Sequence, residues 1–89
     1  MNAIEYTARH VRDEVADAEH YAQKAIEYKT AMPDLAETLY SLSGQELEHA
    51  RRLYDSIKSA DGRDVLDYEY SYLREAEQKV HALWEQYKG

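Results

Sequence analysis

An all-α chain of three helices is predicted from three observations. Glycine and proline are scarce, three and one in 89 residues, and they gather at two places, "TAMPD" around Pro33 and "SADGRD" around Gly62. Between those breaks the apolar residues recur at steps of three and four, the period of a helix face. No segment alternates with the period of two that a half-buried strand requires.

The first helix is expected over residues 3–31. Its stripe of Ile4, Ala8, Val11, Val15, Ala18, Ala22 and Ile26 is made largely of small side chains, which lets a neighbouring helix come close. Glu19 sits on the edge of that stripe. The second helix is expected over 33–60, opened by Pro33 at its first position with Asp34 and Glu37 in an acidic first turn. Along it Leu35, Leu39, Leu42, Glu46, His49, Leu53 and Ile57 fall on one narrow stripe at about 100° per residue. A second stripe, Ala36, Tyr40, Leu47 and Tyr54, lies roughly 120–140° away by the same arithmetic, so this helix has two apolar faces and calls for two neighbours. The third helix is expected over 64–87, with Asp64 as N-cap and Gly62 closing the helix before it after Lys58. Val65, Leu66, Tyr72, Leu73, Ala76, Val80, Leu83, Trp84 and Tyr87 give it a broad apolar stripe that can cover one face of the second helix.

Size and charge narrow what such a bundle can do. A chain of 89 residues forms one domain, residues 1–89, and a fold this small buries only about 60% of its unfolded surface, so association is expected. Eighteen acidic against eleven basic residues, net −7, disfavours a phosphate backbone as partner and favours cations. There is no cysteine, so any metal would be held by oxygen and nitrogen. The N-terminal "MNAIEYTARHVRDE" has no apolar core of a signal segment, and no run approaches the length of a membrane span, so a cytoplasmic protein without a membrane partner is expected. No targeting extension to a shell is read after "EQYKG".

Glu46 and His49 stand where the stripe asks for leucine. The i, i+3 spacing aims both to one side of the helix, and burying them is costly unless they bind a metal or hydrogen-bond each other. If the first two helices turn midway between Met32 and Pro33, Glu19 and Glu46 lie level, both roughly 20 Å from the turn at 1.5 Å rise per residue. One hairpin then supplies Glu19, Glu46 and His49. Asp13, Glu14 and Asp17 form an acidic cluster nearby, either a cation funnel or a solvated face. Glu77 has the level of Glu46 but only the edge of its stripe, and reads as a solvated acid. Glu69 lies in its stripe but about five residues from the level of His49, and can pair with Arg51 or Arg52. Asp17 and His20 read as surface residues, and His10 and His81 carry no further signal. Nine tyrosines with no phenylalanine suit interfaces, where an apolar ring with a polar tip is useful.

With "DAEHYA" carrying Glu19 and "QELEHA" carrying Glu46-x-x-His49, the sequence resembles the ferritin-like di-iron carboxylate superfamily, rubrerythrin-like proteins in particular. A full site there uses a Glu from each of two helices and a Glu-x-x-His from each of the other two. This chain holds one such half over roughly residues 10–57, and is similar to the half-bundle members such as the encapsulated ferritins. The resemblance implies a homodimer, or a higher homo-oligomer, in which two hairpins close a four-helix bundle around two iron ions, or manganese. It implies Glu46 as the bridging ligand, Glu19 and His49 as terminal ligands, and an oxidoreductase chemistry of Fe(II) oxidation by dioxygen or peroxide. The competing expectation is a non-catalytic helical interaction module in which Glu46 and His49 hydrogen-bond to each other.

Overall fold

A computed structural model describes residues 2–58 and 63–89, and of 63–69 the backbone alone. The elements are α1 (Ala3–Tyr28), α2 (Pro33–Ile57) and α3 (Arg63–Lys88), with no strand among the described residues. Asn2 caps α1, its side-chain oxygen accepting the Glu5 N–H at 2.8 Å. Tyr28 ends α1 three residues short of the expected boundary, because Met32 stands before a proline and takes the extended-side backbone of φ −140°, ψ 71°. Pro33 opens α2 as expected. The Gly62 assignment lies outside the described residues, as do the side chains of Val65, Leu66, Tyr68 and Glu69; α3 begins at Arg63, so Asp64 stands inside the helix and not at the expected N-cap.

The α1 stripe is the core face. Ala8, Val11, Val15, Ala18, Ala22 and Ala25 are all buried, with Ala25 in the place expected for Ile26. Against it α2 turns Ala36, Ser43, Leu47, Ala50, Tyr54 and Ile57, so its inner face follows the stripe read as secondary. Most of the leucine stripe lies off the core: Leu35 is 37% exposed and Leu39 and Leu42 are half-buried, while Leu53 packs on the core from its edge and only Ile57 at the far end is buried. The reason lies in α1. Its alanines suit close approach to the small Ala36, Ser43 and Ala50 of α2, while Leu47, Tyr54 and Ile57 on the same face fill the core beside them.

α3 lies mainly along α1 and less along α2. Leu73 and Val80 are fully buried, and Tyr72, Ala76 and Trp84 pack on the same core. One buried hydroxyl ties all three helices together. Ser43 Oγ donates to the Ala18 carbonyl at 2.6 Å and accepts the indole Nε1–H of Trp84 at 2.8 Å. Beside it Tyr40 stacks on Tyr87, ring centres 4.8 Å apart, and meets Trp84 edge-on at 6.0 Å. The result is a rod of 47 × 19 × 16 Å. No described helix is long and apolar enough to cross a membrane.

Candidate metal centre

Glu46 and His49 come together on α2 as the i, i+3 spacing requires, with His49 Nδ1 3.6 Å from Glu46 Oε1. The third member comes from α1 and is Glu14, whose Oε2 is 3.7 Å from the same imidazole nitrogen. One ligand atom from each of Glu14, Glu46 and His49 lies within 4.8 Å of the others.

Glu19 is not in this group. It pairs with Lys79 of α3 at 3.0 Å and accepts a bond from Gln23 at 3.4 Å, on the side of α1 that α3 covers. The cause is the position of the turn. With α1 ending at Tyr28 and α2 beginning at Pro33, the hairpin reflects about a point two residues earlier than expected. The level opposite Glu46 is then near residue 15. Val15 faces the core, so its neighbour Glu14 presents to the site. The missed signal was legible in "AMP": a residue before proline resists helix, and a helical hairpin needs two to five loop residues.

The electrostatics of the group are those of two acids in close quarters. Glu14 Oε2 is buried and, while both acids are ionised, has no hydrogen-bond partner; a proton shared with Glu46 would supply one. Facing carboxylates are acceptor against acceptor, and only a proton or a cation between them satisfies both. Accordingly the Glu46 carboxyl is held above its ordinary 4.5, chiefly by a hydrogen bond to Glu14, then by burial and by the charge of Glu14; the neighbouring His49 opposes the rise. At the outer limit of 4.8 Å, two bare charges would repel by about 1 kcal/mol in water and roughly 3–4 kcal/mol at an effective dielectric of 20.

Access is from one side. The Glu14 and Glu46 side chains are 22% and 20% exposed while His49 is 52% exposed, so the carboxylates form the floor and the imidazole the rim. Beside the rim is an open cleft of about 350 Å³ lined by His10, Glu14, His49, Arg52, Leu53 and Ser56. His10, which carried no signal in the sequence, therefore stands at the mouth.

The remaining candidates are placed elsewhere. Glu77 is engaged by Arg51 at 2.7 Å. Asp13, Asp17 and His20 are exposed, so of the acidic cluster Glu14 alone turns into the group. His81 packs against the Trp84 ring at 4.9 Å. Comparisons with known protein families, with curated proteins and with solved structures found no match to this chain.

Proposed function

We propose that this is a ferritin-like metal protein of the half-bundle kind, in which two copies close a four-helix bundle around two iron or manganese ions and oxidise Fe(II) with dioxygen or peroxide. The reading is supported above all by the buried Glu14 Oε2, which has no hydrogen-bond partner while the acids are ionised and faces Glu46 and His49. Two carboxylates and one imidazole are a donor set suited to Fe(II) and Mn(II). Glu14 takes the role expected of Glu19. Glu46 would hold the ions together with Glu14 and His49, as the bridging ligand that the resemblance implies, with Glu14 and His49 terminal.

Three protein ligands per chain leave coordination to be completed by the second copy and by an oxygen substrate entering through the cleft beside His49. Four carboxylates from two chains balance the four positive charges of two divalent ions. The reaction balances as well: two Fe(II) substrate ions give one electron each, and peroxide takes two electrons and two protons to become two waters. The protein's part is to bring the two carboxylates and the imidazole together and fix their spacing; ions would bind as the ligands give up their protons.

A non-catalytic module built on a Glu46–His49 hydrogen bond has less support, because 3.6 Å is beyond hydrogen-bond reach. Metal analysis of untagged protein separates the two readings. About one ion per chain is expected from the six-ligand, two-ion arrangement, and metal-free protein after loading with Fe(II) or Mn(II) would sink it.

A further inference from the structure

We propose that the cleft beside His49 takes a small tetrahedral oxyanion of the phosphate kind, and takes it together with the metal ion. This rests on the metal reading above and adds a second class of ligand to that site.

The chain is acidic as a whole, but hydrogen-bond donors gather on one side of this centre. The reflection of α1 onto α2 that sets Glu14 beside Glu46 also brings His10, four residues earlier, level with residue 51, between His49 and Arg52. Carboxylates therefore occupy one level of the hairpin and donors the next, about 6 Å away at 1.5 Å per residue. The cleft of about 350 Å³ spans both levels, for Glu14 and His49 line it together with His10, Arg52 and Ser56.

Three of the lining residues can donate. Arg52 carries a guanidinium whose flat fork matches an oxyanion in two parallel hydrogen bonds. Its neighbour Arg51 is held by Glu77 at 2.7 Å, whereas Arg52 has no carboxylate partner among the described residues. His10 offers an imidazole whose ring leans on Tyr6, centres 4.6 Å apart. His49 Nδ1 stands on the carboxylate side, and once it is given to a metal the other ring nitrogen carries a hydrogen. The Ser56 hydroxyl is already spent, donating to the Arg52 carbonyl at 2.9 Å. Without a metal these donors hold an anion weakly, because Glu14 lines the same cleft and repels it. With a divalent ion held by Glu14, Glu46 and His49 the repulsion turns to attraction, and an oxyanion oxygen can fill coordination that three protein ligands leave open. Three donors and a metal make four contacts, which suits the four oxygens of a tetrahedral anion better than the two of a carboxylate.

The two ligands can be measured apart. Mn(II) affinity is read by equilibrium dialysis of untagged protein, first in buffer free of oxyanions and then with inorganic phosphate. Phosphate is expected to tighten Mn(II) by about 5–150-fold, and bound Mn(II) to tighten phosphate by the same factor. Arg52→Gln and His10→Ala should each weaken phosphate binding to the Mn(II)-loaded protein by about tenfold or more, with Mn(II) affinity in oxyanion-free buffer unchanged. Arg51→Gln makes the same change in net charge and should leave phosphate binding as it was; a loss equal to that of Arg52→Gln would mean attraction by overall charge and overturn the site. Mn(II) held equally with and without phosphate would overturn the inference while the metal centre stands. Phosphate bound equally by metal-free protein would overturn the linkage, and acetate tightening Mn(II) as much as phosphate does would overturn the tetrahedral class. Protein that takes up no Mn(II) in either buffer would remove the metal reading and this inference with it.

Discussion

Replacing Glu14 by alanine removes one of three candidate ligands, whereas replacing Glu19 removes only an ion pair with Lys79. Loss of an outer-shell partner alone costs a metal site about 10–100-fold, so Glu14→Ala is expected to weaken Mn(II) binding by at least roughly 100-fold. Glu19→Ala should leave it unchanged, with a stability cost below about 1 kcal/mol. Titration against a competing fluorescent chelator reads both, and equal losses would return Glu19 to the site. A second expectation concerns the metal-free protein. The Glu46 carboxyl titrates above its ordinary 4.5 in the folded chain, so the folded state holds that proton more tightly than the unfolded state. Its stabilising effect is therefore present below 4.5 and is lost as pH rises through the raised value. Glu46→Gln should raise the melting temperature in chelator at pH 7 and give little gain near pH 4, where the native acid is already protonated. An equal gain at both pH values would mean that the glutamine acts by packing. Glu46 and His49 were legible from their spacing within one helix. Glu14 was not, because its place depends on where another helix ends.

Two elements meet here through their smallest residues, and that choice sets which face of α2 remains outside. Hydrophobic period alone marked both stripes of α2, the leucines and Ala36, Tyr40, Leu47 and Tyr54, but not Ser43 and Ala50, which are buried with the second. Close packing adds them by fit, Ser43 lying against Ala18. The α1 stripe and the α3 positions Leu73 and Val80 were legible because each of those helices has one dominant apolar face. Ala18→Leu would overpack this seam at a cost of about 1–3 kcal/mol. It should also spread α1 from α2, so that Mn(II) affinity falls although no ligand is touched; stability loss with unchanged affinity would mean that the seam does not set the Glu14–Glu46 spacing. Ser43→Ala leaves the Trp84 indole N–H without its acceptor, and a cost of about 1–2 kcal/mol is expected in urea unfolding.

For the whole molecule, marginal size and an open leucine face point the same way. Leu73→Ala should cost about 2–5 kcal/mol, a large share of the roughly 5–15 kcal/mol typical of a folded domain. Metal bound only by the folded protein works in the other direction. Mn(II) at a hundred times its Kd should add about 2.7 kcal/mol, seen as a higher melting temperature that depends on protein concentration if two copies share the ions. A metal-induced rise independent of concentration would assign the ions to single chains. The proposed dimer is suggested in the sequence only by an incomplete ligand count, since a chain would record half of any two-fold interface. Trp84 is the sole tryptophan, and its indole is anchored to a serine one turn from Glu46. The molecule thus carries its own fluorophore at the junction of its three helices: excitation absorbed by the adjoining Tyr40 and Tyr87 can pass to a single emitter, and a red shift that precedes any loss of helicity would signal that α3 lifts off before the α1–α2 hairpin unfolds.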